Sequence, residues 1–295
     1  MATVTSLSLG NRQMQAAVGS FNGRVLRVGK LCEATLPEGC LINGVITNEA
    51  DFSAAVGAFW KQNDLPRKNV SVTLNSSQFL SRMVTVPLLP PKKLQEIARR
   101  ELSAMENRQN AITDYMVLGP AEKGRSQVIL ANSVESGFLE SHIALAEGLG
   151  LKLCRIDTSM ASVLQLLRFL PAPGQETYIL MLFDGDNVAS ILMDSGTYKY
   201  SSRNRLFSAH ATPEFGNEVT TAISGVAQFQ SSSKGAPISS VYFAGCTDAD
   251  FTACQPGCQM LQLNAALLPD APKTVQLPAG ARLADWARAV GNLLG

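Results

Sequence analysis

Few residues of this chain are of a type and spacing that could do chemistry. Asp184 and Asp186 bracket Gly185 in the run Phe183-Asp184-Gly185-Asp186-Asn187. Two carboxylates around a glycine that permits close backbone approach could hold a divalent cation, and the same four residues also make an ordinary hairpin turn. The two histidines stand apart. His142 falls in a predicted helix and reads as a partly exposed helix residue, and His210 lies in the polar loop SAHATPEFGNE. No Gly-x-Ser-x-Gly elbow and no Gly-x-x-x-x-Gly-Lys-Ser/Thr loop occurs, so neither hydrolase-triad nor P-loop chemistry has a foothold. Cys254 and Cys258 flank Gln255-Pro256-Gly257, with no histidine or second pair at metal spacing. The six cysteines are expected as reduced, mostly buried thiols, and no metal site is expected.

Any such chemistry must be positioned by an α/β framework. The 295 residues are 46% hydrophobic but only 6% aromatic, with 23 glycines, a balance that suits many tight connections between strands and helices in two lobes. Lys and Arg number 25 against 24 acids, and a net charge of +1 gives no general reason to bind nucleic acid or an anionic membrane. No apolar run approaches the ~20 residues that cross a bilayer, and the N-terminus lacks the basic and apolar regions of a signal peptide. The expectation is a cytoplasmic protein that meets a membrane only through a partner.

Strand signals fall at Thr3–Leu9, Met14–Phe21 and Arg24–Leu31, with a turn at Gly10-Asn11. Phe52, Ala55, Val56, Phe59 and Trp60 share one face of a predicted helix over Glu49–Gln62. Val70, Val72 and Leu74 alternate with polar residues as in a half-buried strand. A second strand, Phe79–Val86, is closed by Pro87, and Pro90-Pro91 opens a helix whose apolar stripe is Leu94, Ile97, Ala98 and Leu102. Strands at Val117–Leu118, Gln127–Val134 and Lys152–Ile156 and helices at Gly137–Glu147 and Ser159–Phe169 follow. Pro171–Gln175 breaks both periodicities and reads as an internal boundary. The opening pattern then restarts as Tyr178–Phe183, Val188–Met193 and Thr197–Tyr200. Further on come a helix at Glu214–Gln230, a buried strand at Ile238–Gly245, a strand at Gln259–Leu263 and a last helix at Leu283–Leu294.

The block Asn69–Ser103 resembles the PilM proteins, actin-like components of type IV pilus assembly. Their strand ending "R-x-h-x-h-P" is matched by Arg82 to Pro87, their charged helix by Leu94–Leu102, and their "D-Y-x-V-L" strand by Asp114–Leu118. Leu36–Gly44, Leu149–Arg168 and Ala289–Leu293 are similar to further motifs of the family, in the same order. The resemblance implies a two-lobed actin/Hsp70/hexokinase-like fold, duplicated on a ribonuclease H-like unit, with an FtsA-type inserted subdomain. It places the first lobe at 1–171 with the insert at about 79–151, and the second lobe at 172–295, with helix 283–294 packing back on the first lobe.

In that fold, hairpin turns of the two lobes cradle the phosphates of ATP with Mg2+. The resemblance puts Gly10 and Asn11 in the first turn, Asp184 and Gly185 in the second, and Gly245 in the turn against adenosine. Each turn departs from the family pattern. Ser8 stands where the magnesium-binding acid belongs, Gln15 where the lysine belongs, and Cys246 where the second adenosine-turn glycine belongs. A serine cannot supply the charge that coordinates magnesium, so efficient metal-assisted hydrolysis is not expected.

The resemblance therefore implies a scaffold. Its partner would be the N-terminal cytoplasmic tail of a PilN-like inner-membrane protein, lying between the first-lobe core and the insert, with Arg82 as the one candidate contact residue. A homo-oligomer is compatible with this fold. Three alternatives stand beside it. A nucleotide-binding ATPase with drifted loops would rest on Gly10, Asp184 and Gly245. A GspL-type secretion scaffold usually continues into a membrane helix, and this chain ends at Leu293-Leu294-Gly295. A sugar- or acetate-kinase-like enzyme would need a catalytic acid and intact phosphate loops.

Overall fold

A computed structural model describes residues 2–105, 110–120, 126–170 and 176–295; the expected boundary Pro171–Gln175 lies outside the described residues. The chain opens as an antiparallel meander of β1 (Val4–Leu9), β2 (Gln13–Phe21) and β3 (Leu26–Thr35). A two-strand hairpin, β4 (Leu41–Ile42) with β5 (Val45–Ile46), leads into α1 (Glu49–Gln62). The Asn48 side chain caps α1 by accepting from the Asp51 amide at 3.2 Å, and Phe52, Val56, Phe59 and Trp60 bury the predicted face. β6 (Val70–Leu74) then runs parallel to β1.

All five residues of β6 are buried, where its alternation predicts a half-buried strand. The strand lies between β1 and a later parallel strand, β10 (Leu153–Thr158). Its polar face is covered and hydrogen-bonded, as burial demands. Ser71 Oγ donates to Asn292 Oδ1 at 2.9 Å, and Thr73 Oγ1 accepts from Ser162 Oγ at 3.1 Å.

Between β6 and β10 the chain builds a small sheet in the order β7 (Leu80–Pro87), β9 (Ser126–Glu135), β8 (Ala111–Pro120). Helix α2 (Pro91–Ser103) begins on Pro91 and lays Leu94, Ala98 and Leu102 over Val86, Ile129 and Ala131. The opposite face of the sheet turns Leu130 and Met116 toward the centre of the molecule. Helix α3 (Ser136–Gly148) follows. Its His142 is buried at 4% exposure, which corrects the partly exposed position expected for it. The ring packs against Phe138, and its Nδ1 lies 2.9 Å from the Phe138 carbonyl. Burial pushes its pKa down.

Helix α4 (Ser159–Leu167) crosses to the second half, where the meander repeats as β11 (Tyr178–Asp184), β12 (Asn187–Asp194) and β13 (Thr197–Arg205). Helix α5 (Pro213–Ser232), β14 (Ser240–Ala244), α6 (Asp248–Met260) and β15 (Asn264–Leu267) complete a sheet in the order β13-β12-β11-β14-β15. Residues 259–263 were expected as a strand, but α6 continues to Met260 and the strand begins at Asn264. A capping box between Thr247 and Asp250 starts the helix, and Pro256 sits inside it without ending it. Cys254 and Cys258, one turn apart, bury the same face.

The chain then returns to the first sheet. β16 (Val275–Gln276) pairs with β3, giving the order β10-β6-β1-β2-β3-β16. Helix α7 (Leu283–Gly291) and a final turn at Asn292–Leu294 lie against α4, β1 and β2. A Cβ on Gly291 would stand 2.2 Å from the Ser162 carbonyl oxygen, so the close crossing of α7 and α4 depends on a glycine there. Leu164, Leu167, Leu180, Ile191, Leu283 and Val290 form the core between the two sheets.

Candidate functional site

The β1–β2 and β11–β12 turns face each other across the space between the sheets. Gly10 closes the first by donating its amide to the Gln13 carbonyl at 2.9 Å. Gly185 opens the second with φ 56°, a conformation glycine adopts without steric cost. The Arg12 guanidinium meets the Asp186 carboxylate at 2.9 Å and ties the tips together. Beneath them Asp184, only 5% exposed, presses its carboxylate on Gly10, where a Cβ would lie 2.2 Å from Oδ1.

That carboxylate has protein partners on both oxygens. Asn75 Nδ2 donates to Asp184 Oδ2, and Arg288 Nη2 stands 3.9 Å from Oδ1. Arg203 is near enough to feel both: burial lowers its pKa, Asp184 opposes that shift and Arg288 adds to it. Asp186 in turn lies 3.7 Å from His210 Nε2, and His210 Nδ1 is 3.1 Å from Asp250, the capping acid of α6. A chain of polar contacts thus runs Arg12–Asp186–His210–Asp250 across the mouth of the cleft.

The remaining positions singled out in the sequence are also tied to protein groups. Asn11 Oδ1 accepts from the Asn43 amide at 2.7 Å, holding the first turn to the β4–β5 hairpin. Ser8 is buried within β1. Gln15 Nε2 donates to the Asp285 carbonyl at 3.1 Å. Gly245, at φ 74°, donates its amide to the Ala284 carbonyl at 2.8 Å, and a Cβ there would meet the Phe183 carbonyl oxygen at 2.5 Å. The Cys246 thiol is pushed up to about 12 by burial, with the Asp250 charge adding to the effect, so it is not a thiolate near neutral pH. Arg282 bridges Asp248 at 2.6 Å and Asp285 at 2.9 Å beside it.

Arg82 lies elsewhere. It sits opposite Ala131 on the face of the small sheet that carries α2, 3.5 Å from Glu101 of that helix.

The opposite face of the small sheet overhangs a groove of about 310 Å3 against β10 and the start of α4. Phe79, Ile112, Met116, Val134 and Ile156 give it an apolar lining, with Asp114, Asn132, Arg155, Asp157 and Gln165 among them. β8 and β10, which flank it, are both terminal strands of their sheets, so among the described residues each has an edge without a strand neighbour. Burial raises the Asp157 pKa, while the Thr158 amide, at 2.8 Å, and Arg155, at 3.8 Å, act against that. Gln165 Oε1 and Arg155 Nε are buried with no hydrogen-bond partner among the described residues. One is an acceptor and the other a donor.

Gly10 and Asn11 lie in the β1–β2 turn, Asp184 and Gly185 at the β11–β12 turn, and Gly245 just after β14; what surrounds them was not legible in the sequence. Arg12, Asn75 and Arg288 carry no local signal, because they meet Asp186 and Asp184 only across 100 or more residues; Arg203 and His210 reach the same turn over shorter separations, by strand pairing and loop return.

No protein-family model matches the chain, and no curated protein sequence matches it. Solved structures do. A chain of the PilM–PilN type IV pilus biogenesis complex superposes with a TM-score of 0.80 at 14% identity, covering 99% of this chain and 97% of that one. An actin-like ATPase-fold protein of unknown function from Bacteroides thetaiotaomicron gives a TM-score of 0.53 at 11% identity over 90% of each chain. The ethanolamine utilization protein EutJ from Carboxydothermus hydrogenoformans gives 0.54 at 9% identity, covering 100% of this chain and 90% of that one. At these identities the likeness speaks for the fold: the chain has the two-halved actin-like fold, and over nearly its whole length it is similar in structure to the pilus protein.

Proposed function

We propose that this protein is a scaffold of a type IV pilus or related assembly at the inner membrane, and that it works by contact. Its partner is the extended N-terminal tail of a PilN-like membrane protein, held in the groove between β8 and β10. The carrying observation is that groove. Two terminal strands flank it, and apolar side chains line it. An extended peptide presents the complementary set: backbone N–H and C=O groups to add along an edge, and side chains that alternate into apolar pockets. Among the described residues no helix is long and apolar enough to cross a membrane, so this reading places the membrane anchor in the partner.

The cleft supports the same reading from the other side, because its residues do not fit a magnesium nucleotide. Asp184 fills the space beside Gly10 and is already matched by Asn75 and Arg288. Ser8 has no charge to offer a metal, and Gln15 is bonded to the backbone at Asp285. Arg12 with Asp186 and Arg288 with Asp184 join the two halves through side chains.

Calorimetric titration of the full chain with a synthetic PilN N-terminal tail peptide tests the reading. Binding is expected for the wild type. It is expected to fall at least about tenfold for Ile112→Lys, a groove residue 46% exposed, with an unchanged melting temperature. Equal binding by the variant would place the tail elsewhere.

A further inference from the structure

Helix α2 turns one face to the small sheet and the other away from the molecule. Its apolar stripe, Leu94, Ala98 and Leu102, is buried on the sheet. At about 100° per residue, the opposite arc carries Lys92, Lys93, Glu96, Arg99 and Arg100 within roughly 120°. All five are exposed. Four cations and one acid therefore face solvent together. The other acid of the helix, Glu101, is turned to the flank, where Arg82 stands 3.5 Å and Arg100 3.7 Å from it. Lys92, Lys93 and Arg99 form no ion pair among the described residues. This face takes four of the chain's 25 basic residues and one of its 24 acids, which leaves the rest of the chain slightly negative. A nearly neutral total thus conceals a local excess of positive charge.

That excess is not where helix stability would put it. The first turn of a helix carries the positive end of its dipole and favours acids. α2 has no acid in its first turn and no side-chain cap, and Lys92 and Lys93 stand there instead. Departures from a local rule of this kind concentrate at functional positions. The helix is fastened by other groups: the Tyr115 hydroxyl donates to the Pro91 carbonyl at 3.2 Å, and Gln95 Nε2 donates to the Thr113 carbonyl. The loop leading into α2 adds an apolar point. Leu89 packs into the cluster under the helix, whereas Leu88 is 60% exposed.

A basic helix face entered through an exposed leucine is complementary to an anionic bilayer surface. Cations meet the lipid phosphates, and the apolar side chain enters the headgroup boundary. We propose that the outer face of α2, together with Leu88, docks directly on the anionic headgroups of a phospholipid bilayer. The contact is peripheral and departs from the expectation that a partner alone brings the protein to a membrane. It does not rest on the tail reading, because the tail groove lies on the other face of the small sheet and takes no lining residue from α2.

The test is flotation of the full chain, without any tail peptide, with vesicles of phosphatidylglycerol and phosphatidylcholine in equal amounts, and with vesicles of phosphatidylcholine alone. At low salt the protein is expected to float with the anionic vesicles only. Release is expected at about 1 M NaCl, where the screening length falls to about 3 Å. Lys92→Gln combined with Lys93→Gln is expected to weaken the partitioning at least about tenfold, and Leu88→Gln several-fold, with melting temperatures no lower than the wild type. Arg24→Gln combined with Lys68→Gln removes the same charge from exposed positions elsewhere and is expected to leave partitioning unchanged. Failure of the wild type to float with anionic vesicles overturns the proposal and leaves the face to an acidic protein. Binding that survives high salt, or that is as strong in the lysine or leucine variant, overturns it as well. An equal loss in the Arg24 and Lys68 variant overturns the assignment to α2.

Discussion

Asp184 touches Gly10, Asn75 and Arg288 at once, and it does so from a buried position. Removing its charge leaves two arginines facing each other without compensation. Asp184→Asn is therefore expected to destabilise the fold by about 3 kcal/mol in chemical denaturation, and Arg288→Gln in the same chain to restore part of that loss. Gly10→Ala attacks the same contact from the opposite turn. Its Cβ would stand 2.2 Å from the carboxylate, so a loss of roughly 1–3 kcal/mol is expected from forced displacement. His142 makes a different prediction. Its pKa is lowered in the folded protein by burial, so the unfolded chain takes up a proton first as pH falls below about 6.5. Stability should drop on that side, and His142→Gln should flatten the slope between about pH 7 and 5 in melts recorded across that range.

At the scale of the element, what was legible depended on whether local periodicity or tertiary placement set the outcome. Helix α1 and strand β6 fall at the predicted bounds because a capping asparagine, a clean apolar stripe and flanking turns all agree. α6 defeats the same logic. No helix was expected over Asp248–Met260, and the Thr247–Asp250 capping box and the packing of Cys254 and Cys258 carry one through Pro256. Thr247→Ala should cost about 1 kcal/mol by removing that cap, measurable as a lower denaturation midpoint. The burial of His142 escaped for a related reason, since the surface that covers it includes Phe138 and lies in the fold, not in its own helix pattern. β8 and β10 illustrate the opposite case: each strand was visible, but that their free edges flank one groove follows only from the sheet order.

For the molecule as a whole, the fold was legible through the family resemblance of Asn69–Ser103 and the later motifs, with which the repeated strand–turn–strand agrees. Two meanders, each extended by parallel strands, are what the actin-like fold requires, and both halves follow that plan. The two hairpin turns were legible in the sequence, but the side chains that join them across the cleft were not. Arg12 to Asp186 and Arg288 to Asp184 span 100 or more residues and join elements that no window of sequence brings together. The central claim is contact without nucleotide chemistry. Its most direct test is titration of the PilN N-terminal tail peptide into the full chain, with and without ATP and Mg2+, while released phosphate is measured. The account predicts the same dissociation constant in both conditions and no phosphate release above a protein-free control. Tail binding that requires ATP and Mg2+, or steady phosphate release by the pure protein, would contradict it.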